Sequence, residues 1–110
     1  MTSPTRVLLV SGDLAARARV EAATERVGGE LRTCRLEDLS RVLKEEQFDL
    51  VVGDLDSGGT SLIEALRDHP TRVVGYYSHV DDELGRTARA AGLEPIPRGR
   101  FWRELDVIIG

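Results

Sequence analysis

Apolar residues in this chain fall into short blocks, separated by longer stretches in which they recur every three or four positions. The blocks are Val7-Leu8-Leu9-Val10, Leu50-Val51-Val52, Val73-Val74-Gly75-Tyr76-Tyr77 and the segment from Leu93 to Ile96. Short, continuous and β-branched, Leu50-Val51-Val52 predicts a strand buried on both faces, the mark of a parallel sheet under helices, and the other blocks predict strands beside it. Alternation around Leu31 and Thr33 predicts a further strand over 30–35. Between the blocks, Ala16, Val20, Ala23 and Val27 share one helical stripe, with Asp13 as N-cap and Gly28-Gly29 as the stop. Leu39, Val42 and Leu43 predict a second helix over 36–46, with Lys44, Glu45 and Glu46 outward. Leu62, Ile63 and Leu66 predict a third, capped by Thr60 or Ser61 and stopped at His69-Pro70. Acids from Asp81 onward suit the first turn of a fourth helix ending near Ala91. Phe101, Trp102, Leu105 and Ile108 mark a last helix over 99–109, with Phe101 in the core and Trp102 half-buried against the fourth helix.

Strand and helix therefore alternate five times, which predicts an α/β fold, a doubly wound (βα)5 sheet with helices on both faces. At 110 residues the chain reads as a single domain over 1–110, with no room for an output domain. Its net charge of −4 argues against nucleic acid as a partner, because such affinity rests on neutralising phosphates. The single cysteine, Cys34, excludes an internal disulfide and reads as an inert thiol in the second strand. No apolar run approaches the roughly 18 residues of a membrane span, so a cytoplasmic protein is expected.

Candidate chemistry centres on Asp54, at the end of the third strand. Ligands of open α/β sheets sit at the carboxyl ends of the strands. A carboxylate there either serves such a site or caps the following turn. Gly58-Gly59 supplies a turn and not a phosphate loop, since no Lys-Ser/Thr pair follows it. His69 and His79 lack a clear third ligand, so no metal site is assigned to them; His69 suits a helix C-terminus and His79 lies at the ligand-bearing rim.

The run Phe48-Asp49-Leu50-Val51-Val52-Gly53-Asp54-Leu55, with Ala90-Ala91-Gly92 before the fifth strand, resembles the receiver domain of bacterial two-component response regulators. The resemblance spans the whole chain and implies a flavodoxin-like sheet in strand order 2-1-3-4-5. It implies Asp54 as the phosphoacceptor, Mg²⁺ as the cofactor, and signalling through the face formed by the fourth helix, fifth strand and fifth helix. Several site positions depart from the pattern. Ser11 and Gly12 stand where the family has two metal-binding acids, leaving Asp56 and Asp13 as the nearest substitutes. A count back from Gly92 puts Tyr77 at the position of the switch Thr or Ser, with Ser78 one residue late. Arg98, after Pro97, stands in for the family's Lys and could pair with Asp54; a planar guanidinium does not reproduce a compact ammonium.

With only the acceptor retained outright, the expected protein is a degenerate receiver, a pseudo-receiver that binds Mg²⁺ weakly if at all and acts through protein contacts rather than as an enzyme. The alternatives are a working phosphoacceptor receiver, or a small cofactor-binding or enzymatic domain on the same sheet. Arg86, Arg89, Arg100 and Arg103, with Trp102, are the interface candidates. They would meet a histidine kinase, an effector or a second copy, the last through pairing with Glu94, Glu104 and Asp106.

Overall fold

Five parallel strands form one sheet in the order β2-β1-β3-β4-β5: β1 Arg6–Val10, β2 Glu30–Cys34, β3 Leu50–Asp54, β4 Arg72–Tyr77 and β5 Glu94–Pro97. The coordinates are a computed structural model that describes residues 3–78, 80 and 82–110. In register, Leu8 lies beside Arg32 on one side and Val51 on the other, and Asp54 lies beside Tyr76. Alternation along the strands divides the apolar residues between two layers. Leu8, Val10, Val51 and Val73 face α2 (Leu39–Glu45), α3 (Leu55–Leu66) and α4 (Asp82–Ala90). Val7, Leu9, Val52, Val74 and Tyr76 face α1 (Leu14–Arg26), α5 (Arg98–Arg103) and α6 (Leu105–Ile109). All five residues of β3 are buried, as the continuous apolar run predicts.

Departures from the predicted elements have local causes. On α1 the fourth buried position is Thr24 and not Val27, because the Thr24 hydroxyl donates to the Val20 carbonyl at 2.7 Å and so enters the core satisfied. α3 begins at Leu55, several residues before the expected cap at Thr60 or Ser61, because the Asp54 carboxylate caps it. Gly59, at φ 56 and ψ −146, then separates this first turn from the regular helix that follows. The predicted last helix is two, broken at Glu104 (φ −105, ψ 17). The expected helix start at Asp81 falls outside the described residues, and α4 is described from Asp82.

Close packing beneath the site depends on Gly75, where a Cβ would come within 2.6 Å of the Leu55 side chain. Gly75→Ala should therefore lower stability by about 1–3 kcal/mol through overpacking, read as a lower urea midpoint with unchanged slope.

At the opposite end of the sheet, Glu46 gathers two guanidiniums. Arg6 Nη2 donates to its Oε1 at 2.7 Å, and Arg32 Nη1 donates to its Oε2. The hydrogen bond from Arg6, more than the charge of Arg32, holds the Glu46 carboxyl below its ordinary range. A depressed folded value means that the stabilisation is present above the unfolded value near 4.3 and is lost as pH falls through the folded one. Glu46→Gln should accordingly melt lower than the parent at neutral pH, and the two melting curves should converge in acid.

Candidate functional site

Asp54 ends a wholly buried strand, so its carboxylate emerges at the carboxyl edge of the sheet, beside the first turn of α3. It is 5% exposed. Its Oδ1 accepts the backbone N–H of Asp56 at 3.2 Å and of Ser57 at 3.3 Å, which makes it the N-cap of α3. The same oxygen accepts Arg98 Nη2 at 3.1 Å, and that nitrogen also donates to Asp56 Oδ2 at 3.0 Å. Asp56 Oδ1 in turn accepts the backbone N–H of Ser78, just past β4, at 3.0 Å. One guanidinium thus joins two carboxylates, and the second carboxylate reaches the end of β4. Burial works against the charge on Arg98. The Asp56 hydrogen bond and the charges of Asp54 and Asp56 outweigh that cost and raise the guanidinium pKa.

Below this cluster lies Tyr76. The Arg98 guanidinium sits over its ring at 4.9 Å, and its other contacts are Phe101, stacked at 4.7 Å, and Trp102, tilted at 5.3 Å. Its hydroxyl is buried and makes no hydrogen bond of normal geometry among the described residues, although Ser11 lies close to it. Burial, with the nearby Asp54 charge, pushes the phenol pKa up to about 12.

Tyr76, and not Tyr77, is the β4 residue beside Asp54. Tyr77 turns to the other layer and packs where a Cβ on Gly85 would come within 2.8 Å of its hydroxyl. The signal that could have found Tyr76 is parity: it shares a face with Val74, as Asp54 does with Val52. Ser78 reaches the site through its backbone N–H.

Asp13 is exposed and caps α1, accepting from Ala15 N at 2.9 Å and Ala16 N at 3.3 Å. Ser11 and Gly12 line, with Asp54, Leu36 and Leu62, a cleft of about 340 Å³ above β1 and β3. Trp102 packs under Arg19 of α1, whose guanidinium is 4.2 Å from its ring, instead of against α4. His69, beyond the end of α3, accepts the Thr71 N–H on its Nδ1 at 3.2 Å. His79 lies outside the described residues. Cys34 is half-buried, and burial raises its thiol pKa.

The arginine cluster divides. Arg98 belongs to the site, Arg100 pairs with Glu104 at 2.9 Å, and Arg86, Arg89 and Arg103 are exposed with no ion pair among the described residues. The acids expected to receive a second copy's arginines are already engaged within the chain. Glu94 is held by Arg72 at 2.9 Å and Asp106 by Arg26 at 2.6 Å.

Magnesium requires near-octahedral oxygen ligation. Asp54 Oδ1 and both Asp56 oxygens are already hydrogen-bonded, a guanidinium lies against both carboxylates, and Ser11 and Gly12 bring no acid. Among the described residues no group of three His, Cys, Asp or Glu side chains is arranged to hold a metal. This donor set does not fit the ion that the fold family implies.

No family model and no curated protein matches the chain. Solved structures do. A response regulator from Thermotoga maritima is 23% identical, with 97% of this chain and 98% of that one covered, at a TM-score of 0.76. The receiver domain of the TMAO respiratory system response regulator TorR is 14% identical, with 96% and 93% covered, at 0.83. A putative response regulator from Chloroflexus aurantiacus is 19% identical, with 97% and 95% covered, at 0.81. At these identities the likeness shows the fold: the sheet and its helices are those of response-regulator receiver domains. Among the described residues no helix is long and apolar enough to cross a membrane.

Proposed function

We propose that this is a signalling domain of the receiver type that works as a pseudo-receiver, a protein-interaction module that does not depend on Mg²⁺-assisted phosphorylation of Asp54. The observation carrying this reading is the Arg98 bridge, 3.1 Å from Asp54 Oδ1 and 3.0 Å from Asp56 Oδ2. A fixed cation there neutralises the carboxylates without supplying the open coordination positions through which a metal would offset charge on an incoming phosphoryl group. Partner contact is assigned to the face of α4, β5 and α5, where Arg86, Arg89 and Arg103, exposed and without an ion pair among the described residues, offer positive charge to an acidic surface on a kinase or effector.

A working phosphoacceptor is the second reading. It draws on Asp54 Oδ2, the carboxylate oxygen without a hydrogen bond among the described residues. Incubation with acetyl phosphate and Mg²⁺, followed by intact mass spectrometry, separates the two. The pseudo-receiver reading expects no phosphoryl adduct above the level of an Asp54→Asn control, and a stoichiometric adduct on Asp54 would reverse it.

A further inference from the structure

Two donors from different elements converge on one exposed carboxylate. The Ser78 N–H at the end of β4 meets Asp56 Oδ1 at 3.0 Å, and Arg98 at the start of α5 meets Asp56 Oδ2 at 3.0 Å. A backbone N–H and a guanidinium held on rigid elements are the donors that bind carboxylate and phosphate oxygens well. The Asp56 side chain is 31% exposed, so it lies at the mouth of the site and not beneath it. Three residues later Gly59 adopts φ 56 and ψ −146, a conformation almost confined to glycine. The turn carrying Asp56 is thereby set off from the regular part of α3.

We propose that the Ser78 N–H and Arg98 form an oxyanion pocket that Asp56 fills in cis. The domain is its own ligand: the Asp56 carboxylate ties the first turn of α3 to the end of β4 and the start of α5, and it keeps external oxyanions out. A tethered carboxylate outcompetes a millimolar free anion because its binding is intramolecular. Asp56 is in this sense a positioning residue, since it holds Ser78, just past β4, and Arg98 to one carboxylate. The proposal rests on the pseudo-receiver reading for the pairing of Arg98 with Asp54, which keeps the guanidinium in place when Asp56 is removed.

The test follows the Ser78 amide signal of the ¹⁵N-labelled full chain as sodium phosphate is raised to tens of millimolar at constant ionic strength, with chloride as control. In the parent protein the signal should stay still. In Asp56→Ala it should move and saturate, at least tenfold more than in the parent, and adding Arg98→Gln should abolish the movement. Asp56→Ser, whose shorter side chain also vacates the pocket, serves the same purpose if the alanine variant does not fold. A stationary Ser78 signal in a folded Asp56 variant would overturn the proposal, and so would saturable movement in the parent. No phosphodonor or metal is present, so neither result bears on phosphorylation of Asp54. That reading fails separately, by the phosphoryl adduct described above.

Discussion

Replacing Arg98 with methionine should cost this fold about 2 kcal/mol, and most of that cost should disappear when Asp54 is first made neutral. A buried carboxylate that loses its partner is left uncompensated, which costs about 3–5 kcal/mol in a fully buried pair. Arg98 is 37% exposed, so water screens part of that penalty, and two backbone N–H groups remain on Asp54 Oδ1 to absorb more. Asp54→Asn alone should leave the cap of α3 nearly intact, because Asn caps a helix about as well as Asp. The informative quantity is the cycle. Urea unfolding of the two single variants and the double variant should give a coupling of about 1 kcal/mol or more, as groups sharing one network do. Additive costs would mean that the bridge is incidental to stability.

Truncating Tyr76 to alanine should be the most damaging single change near the site, at about 3–5 kcal/mol. The ring is fully buried, stacks on Phe101 at 4.7 Å and supports the Arg98 guanidinium at 4.9 Å. Tyr76→Phe should do the reverse, leaving stability unchanged or raising it by up to about 1 kcal/mol. It keeps the stack and removes a buried hydroxyl that has no hydrogen-bond partner among the described residues. Thermal and urea melts of the pair check both statements. A clear loss in the phenylalanine variant would show that the hydroxyl makes a bond worth keeping, with Ser11 its nearest candidate.

The architecture was legible because β1, β3 and β4 announced themselves as compact apolar runs, β2 as an alternating stretch, and the helices as periodic ones. Five such pairs leave little choice of fold class. What periodicity could not supply was register. The position of Tyr76 beside Asp54 depends on which β4 residue pairs with β3, and no spacing within the chain states that pairing. A shift of one residue moves a side chain to the opposite face of a sheet, so the pairing alone decides which of Tyr76 and Tyr77 shares a layer with Asp54.

The bond between Arg98 and Asp54 was foreseeable as opposite charges at the carboxyl ends of β3 and β5, on either side of β4. The role of Asp56 was not, because its link to Ser78 joins residues 22 apart through a backbone group that no side-chain pattern encodes. The break at Glu104, which divides one apolar stripe into α5 and α6, likewise left no mark in the spacing of Phe101, Leu105 and Ile108.

If Arg98 neutralises Asp54 and Asp56 in place of a metal, as proposed, a magnesium titration should leave the site unmoved. Amide spectra of the full chain would be followed as Mg²⁺ is added, and then as beryllofluoride, a phosphoryl mimic, is added with it. The account predicts that the signals of Asp54, Asp56, Ser78 and Arg98 stay where they are through both additions. Saturable shifts at these residues, spreading along β4 and α4 into α5, would contradict it and mark the domain as a working phosphorylation switch.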